Sequence, residues 1–342
     1  WRARRASPRT SSSRASRRRT ERDVPHRTTN ENMSDGGRGK RAFRLSALAF
    51  AATCASATMI VWVAFLPGSC SFVGAAAEAE TSSASSSFLT NAARFVPKTL
   101  ITKYRNERGT PRRACVTHVL PSAAWSALAP FQLLAFSFGV GKKKGSWTAR
   151  RRLRAAHRVA GRALFATTAC MTFGYVFAIH REGLHFHRHD FPSLESGEAL
   201  SVAPPLAALW RVAGGADAFE AFEHACAFWF FAAAARAAFV AARGNRTGER
   251  SPRGWVRDHR AWAIRHLAAG YSVVAQRALI ALAHAACRAG FSQSRAAAER
   301  ECASPAAQKG IFADALVLGV AMCVAAGEAA IRDADALDDT EG

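Results

Sequence analysis

Apolar residues in this chain are gathered into long runs rather than spread at a surface-helix or strand period. A nearly uncharged run of about 20 residues is too apolar for a surface helix and long enough to cross a bilayer. The first such run occupies residues 45–66 and ends at Pro67 and Gly68. Five more follow, at 114–141, 159–179, 216–242, 261–286 and 311–331. Each predicts a transmembrane helix, which satisfies its own backbone polar groups inside hydrocarbon. The Ala and Gly in these runs let helices approach closely. The predicted fold class is all-α: a polytopic transmembrane helical bundle with five core spans plus one N-terminal signal-anchor-like span.

The polar stretches divide the rest of the chain. Residues 1–44 are a basic leader of disordered composition. Within it, 1–32 reads either as an Arg-rich transit-like segment or as upstream sequence read through ahead of Met33, the second being preferred. Arg38, Lys40, Arg41 and Arg44 then precede the run 45–66, which at about 22 residues is long for a signal-peptide core. It is expected to be an uncleaved signal anchor, with a cleaved signal peptide ending near Ala75 to Ala77 as the alternative. Residues 67–113 form a polar linker, rich in Ser and then basic, with an amphipathic stretch around Phe95 to Tyr104. Residues 114–332 are the transmembrane bundle domain, and 333–342 an acidic C-terminal tail.

Charge sets the orientation. The formal net charge of +22 raises the question of nucleic acid, but the basic clusters flank apolar runs, where the positive-inside bias puts them. Membrane lipids are therefore the expected partners and nucleic acid is not. Lys142, Lys143, Lys144, Arg150, Arg151, Arg152, Arg154 and Arg158 lie between the second and third spans with no acid among them. Arg243, Arg246, Arg250, Arg253, Arg257 and Arg260 lie between the fourth and fifth. Both loops are placed on the cytosolic side or its equivalent. The basic segment from Arg94 to Arg113 then faces the other way, against the trend. Asn245-Arg246-Thr247 is a glycosylation sequon in a loop assigned to the cytosol, and sugar on Asn245 would overturn this topology. The protein is expected to be an integral, multi-pass membrane protein of an unspecified membrane.

The eight cysteines include no C-x-x-C pair, and most lie in apolar runs, so neither a disulfide framework nor a zinc site is expected. Cys70 and Cys302 stand in polar segments and are a weak candidate pair. Polar groups inside spans are costly and hence informative. Depth counted at about 1.5 Å per residue along alternating helices puts His118 and His224 toward the non-cytosolic side and His157 and His259 toward the cytosolic side. Two such His pairs on alternate helices are the arrangement that holds two haems across a membrane. The cofactor-binding candidates are therefore His118, His224, His157 and His259, with haem b as the cofactor and a small redox donor and acceptor as partners. Interfacial histidines that touch headgroups or carbonyls are the competing reading.

The remaining intramembrane polar candidates are Gln132, Arg162, Arg265, Arg277 and Glu328. Arg277 is expected toward Glu220 and Glu223, and Arg236 and Arg265 toward Glu328, as ion pairs that fix helix register. His180, His185, His187 and His189 are a further histidine-rich group. His185-Phe186-His187-Arg188-His189 alternates like strand residues, which makes metal binding the minor reading; a polar loop of this kind is usually solvated, and no metal ligands are assigned there.

His118 followed by Pro130-Phe131-Gln132, His157-Arg158 with Gly161-Arg162, His259-Arg260-Ala261-Trp262-Ala263-Ile264-Arg265 with Arg277, and Glu328 together resemble the predicted membrane proteins of the domain of unknown function 2306 family. The resemblance covers roughly His118 to Arg332, and Ala263 stands where that family tends to have Met. It implies a polytopic helical membrane protein and little about activity. Helix count and alternate His pairs are also similar to transmembrane cytochromes b, an architectural analogy. Two functions follow as expectations. One is a di-haem b-type transmembrane electron-transfer protein, which if an enzyme would be a transmembrane oxidoreductase. The alternative is a non-enzymatic transporter or assembly or lipid-interacting factor with structural His-Arg and Arg-Glu pairs.

Overall fold

The computed structural model describes residues 35–65, 112–139, 147–181, 184–185, 208, 210, 212–247, 252–289 and 305–340. Most of the leader and linker, the amphipathic stretch, His187, His189, Cys70 and Cys302 lie outside them. The described residues form six long helices and no strand. Helix α1 is Asp35–Phe65. Helix α2 begins with a turn at Arg112–Ala114, passes through a π-helical segment at Cys115–Val119 and continues as Leu120–Gly139. Helix α3 is Trp147–Gly174, ending in a π-helical segment at Tyr175–His180. Helices α4, α5 and α6 are Ala216–Thr247, Pro252–Ala289 and Pro305–Thr340. A helix thus runs through every apolar run.

Among the described residues, four segments are long and apolar enough to cross a membrane, against the six expected: Gly39–Ile60 of α1, Arg151–His180 of α3, Asp217–Gly244 of α4 and Ala307–Asp339 of α6. Large apolar side chains stay exposed on the outside, among them Phe173, Phe177, Phe228, Leu282 and Met322. A water-soluble monomer does not leave so much apolar surface uncovered, whereas lipid covers it at no cost. The chain is an integral, multi-pass membrane protein of all-α architecture, and its outer surface contacts lipid.

Chain neighbours pack antiparallel, α1 on α2, α2 on α3, and so on to α6, and α6 returns to α1. The helices close a ring, with α5 also touching α1. The span expected to be signal-anchor-like is thus packed within the bundle. Its Ala49, Ala52 and Ser56 are buried, and Ser56 Oγ lies 2.8 Å from the Tyr271 hydroxyl of α5.

Polar contacts sort by depth. Near the centre, Trp125 Nε1 of α2 donates to His266 Nε2 of α5 at 3.0 Å, and His266 Nδ1 lies 3.0 Å from the Phe230 carbonyl of α4. A carbonyl only accepts, so Nδ1 carries the proton and Nε2 is the acceptor. Thr168 of α3 lies 3.1 Å from the same Nε2. Both nitrogens of His266 are thus committed to joining four helices. Gly270, one turn along, is needed because a Cβ there would run into the Trp125 ring.

At the end of the bundle where α5 begins and α6 finishes, these two helices are clamped. Arg260, almost fully buried, reaches Asp335 at 2.6 Å and Asp338 at 2.8 Å. Arg257 pairs with Asp339, whose hydrogen bond holds the guanidinium above its ordinary pKa. Arg44 of α1 reaches Asp333 at 3.6 Å. The acidic stretch from 333 onward is therefore helical through Thr340 and engaged. Deeper, Arg265 meets Glu328 through two hydrogen bonds of 2.7 and 3.1 Å. Arg236 is exposed, with its guanidinium over the Phe239 ring.

Candidate metal centre

The end of the bundle opposite that clamp is built by the two π-helical segments and the start of α4. A π turn widens the helix by one residue and re-aims the side chains around it, and such turns are frequent at functional sites. The segment Cys115–Val119 carries His118, and Tyr175–His180 carries both Tyr175 and His180. The two segments contact each other, and at their junction Gly174 is required: a Cβ there would stand 2.5 Å from the Thr117 carbonyl oxygen. Beyond His180 the chain folds back, with the Leu184 amide donating to the Ile179 carbonyl at 2.9 Å. That return carries His185 inward, where it is 2 % exposed. Before α4, Gly214 and Gly215 turn the backbone with φ of 109° and 67°, values that suit glycine. The turn seats Trp210 on Phe219 and Phe222 and sets the rotation of α4.

These elements bring His180, His185 and His224 together, one potential ligand nitrogen from each lying within 4.8 Å of the others. The His180 ring stacks on His185 at 4.3 Å between centroids and on His224 at 5.3 Å. Glu220, one turn before His224, puts Oε1 3.7 Å from His185 Nε2 and 3.8 Å from His224 Nε2. The Tyr175 hydroxyl is 2.7 Å from His224 Nδ1. An Nδ1–H donated to that oxygen leaves the Nε2 lone pair for a metal, the usual support of a ligating histidine. Three imidazole nitrogens on a tetrahedral ion stand about 3.4 Å apart at ordinary bond lengths, so modest side-chain rotation closes the cluster. Three imidazoles and a carboxylate suit zinc, copper, iron or nickel.

Inward of the cluster lies a cavity of about 230 Å³ lined by His118, Met171, Tyr175, His185, Cys226 and Arg277, among others. It ends on Trp125 and Phe230. Below them Ala129, Leu164 and Leu267 fill the bundle. Arg277 lines the cavity together with Glu223, and its guanidinium lies over the Phe312 ring at 5.4 Å.

The histidines proposed from sequence are distributed as follows. His118 Nδ1 lies 3.0 Å from the Met171 carbonyl, and its ring is 6.5 Å from that of Tyr175. Tyr175 therefore stands against both His118 and His224. His157 and His259 are neighbours near the opposite end. His259 Nδ1 is 2.9 Å from the Ala237 carbonyl. Gln132 donates to the His157 carbonyl at 3.2 Å and packs beside Gly161, while Arg162 is exposed.

Two expectations need correction. The histidines after the third span are expected chiefly to be a solvated loop, with metal binding the minor reading, yet His185 is buried and gathers with His180 and with His224 of α4. The partner that makes the cluster, His224, sits on another helix and was assigned elsewhere. Tyr175 and Glu220 were also missed as parts of the site; the spacing of Glu220 and His224 at i, i+4 was the one available signal. The second correction concerns cysteine. Cys115 is disulfide-bonded, whereas Cys54, Cys170, Cys226 and Cys323 are free. No family model, no curated protein and no solved structure matches the chain.

Proposed function

We propose that this is a non-enzymatic membrane protein that captures a divalent transition-metal ion at its non-cytosolic end, to move it or to supply it to a partner. His180, His185 and His224 are the ligands, Glu220 supplies the carboxylate, and Tyr175 orients His224. The observation that carries the reading is the approach of three imidazoles from two helices and the intervening return. The ion pairs Arg265–Glu328 and Arg260–Asp335, with the His266 junction, hold the frame in which this happens.

The di-haem reading draws support from His118 and His224 lying at one end and His157 and His259 at the other. An axial pair does not need His180, His185 or Glu220, and these are what a compact metal cluster uses. Kinship with the domain of unknown function 2306 family is likewise a proposal, carried by the His157-Arg158 and His259-to-Arg265 motifs. It implies the multi-pass architecture without choosing between the ligands.

Co(II) titration of purified protein in lipid nanodiscs tests the reading. One equivalent should bind and give the visible bands of a low-symmetry site. His185→Ala and His224→Ala should abolish them, and His259→Ala should not. Failure of the wild type to bind Co(II) or Zn(II) refutes the proposal. A reduced-minus-oxidised haem band lost in His118→Ala and His157→Ala would put the di-haem reading in its place.

A further inference from the structure

The cavity beneath the histidine cluster has donors of a different kind. Four helices each contribute one of them to its lining: Met59 from α1, His118 from α2, Met171 from α3 and Cys226 from α4. The chain has 4 methionines, and half of them line this one cavity. Cys226 is a free thiol. His118 is preset as a ligand, because its Nδ1 must donate to the Met171 carbonyl and Nε2 keeps its lone pair.

Thioether sulfurs are soft donors that suit monovalent copper rather than hard ions, and a thiolate serves copper(I) as well as zinc. Charge favours the same choice. A monovalent ion on a thiolate is a neutral pair, whereas a divalent ion there leaves net charge inside the hydrocarbon layer, where charge is costly. Glu223 and Arg277 also line the cavity and bring opposite charges.

We propose that this cavity is a second metal site, specific for Cu(I), with Cys226 and the thioethers of Met59 and Met171 as ligands and His118 completing the set. The Cys226 S–H proton leaves to solvent as the S–Cu bond forms, and no electron is transferred. The site rests on the proposed function only for its route of entry, past the histidine cluster.

The test uses the full chain in nanodiscs under anaerobic conditions, with Cu(I) partitioned between the protein and a chromogenic chelator. Met59→Leu/Met171→Leu should lower Cu(I) affinity at least about ten-fold, the scale on which perturbing a metal site acts. Adding Cys226→Ala should lower it further. Leucine conserves the volume of methionine, and an unchanged melting midpoint confirms that the double variant is folded. X-ray absorption of the Cu(I) form should show sulfur neighbours. His185→Ala should lose Co(II) yet keep Cu(I). Wild-type Cu(I) affinity in the folded double variant, or a sulfur-free Cu(I) spectrum, overturns this site and leaves the histidine cluster standing. Loss of Co(II) binding with Cu(I) retained in the wild type overturns the cluster alone.

Discussion

Replacing His266 with leucine should destabilise the bundle by about 2 kcal/mol. The side chain is buried and joins α2, α3, α4 and α5 through Trp125, Thr168 and the Phe230 carbonyl. Leucine fills much of the space but leaves the Trp125 N–H without its acceptor, and a buried orphan donor costs about 1–3 kcal/mol. Thr168 loses less, because its one hydroxyl proton has the Leu164 carbonyl at 2.9 Å as an alternative acceptor. The Phe230 carbonyl lies within α4 and retains its place in the helix ladder. Lipid moderates the cost, since interhelical hydrogen bonds in membranes average about 0.6 kcal/mol and reach about 1.7. Trp125→Phe keeps the aromatic packing and removes only the donor, and Thr168 then serves His266 Nε2, so that change should cost about 1 kcal/mol. The assay is equilibrium unfolding in mixed detergent and lipid micelles, followed by circular dichroism, for both single variants and the double variant. A positive coupling of about 1 kcal/mol is expected between sites in direct contact. A His266→Leu protein as stable as wild type, or a coupling indistinguishable from zero, refutes the view that this junction secures the bundle.

Other outcomes follow from the same structure. Gly174→Ala should destabilise by about 1–3 kcal/mol and weaken Co(II) binding, although alanine is ordinarily the better helix former; a stabilised variant with normal Co(II) affinity would show that the two π segments need not touch. Arg260→Gln should lower stability by about 2 kcal/mol, the scale of hydrogen bonds to charged groups, because Arg260 is buried against two aspartates; an unchanged unfolding midpoint would count against the clamp. Asn245 should carry no sugar when the chain is made in a glycosylating host, and a mass shift removed by endoglycosidase would reverse the orientation. Acidification should release Co(II), since protons compete with metal for imidazole, and binding that strengthens as pH falls would exclude histidine ligation.

What the sequence revealed, and what it hid, follows from the solvent. Apolar length is written plainly in a membrane chain, so every helix could be located from its run, and depth counting put His118 and His224 at one end. Rotation about each helix axis is harder to read, because the lipid-facing and inward-facing sides are both apolar. Thus Arg265 and Arg236 looked equivalent with respect to Glu328, yet one pairs with it and the other lies over Phe239. His185 was hidden for another reason. It sits just beyond the helix, and its burial depends on a short backbone return and on α4 arriving from far along the chain. The π segments leave no periodic trace, and they set the directions of His118, Tyr175 and His180.

Closure of the ring between α1 and α6 also bears on biosynthesis. The helices enter the membrane in chain order, and the aspartates that engage Arg44, Arg257 and Arg260 all lie in the final turns of α6. Until those turns emerge from the ribosome, Arg260 has none of the carboxylates that surround it in the finished bundle. A chain cut short there would leave Arg260 without those aspartates, and a buried cation costs several kcal/mol unless it is paired.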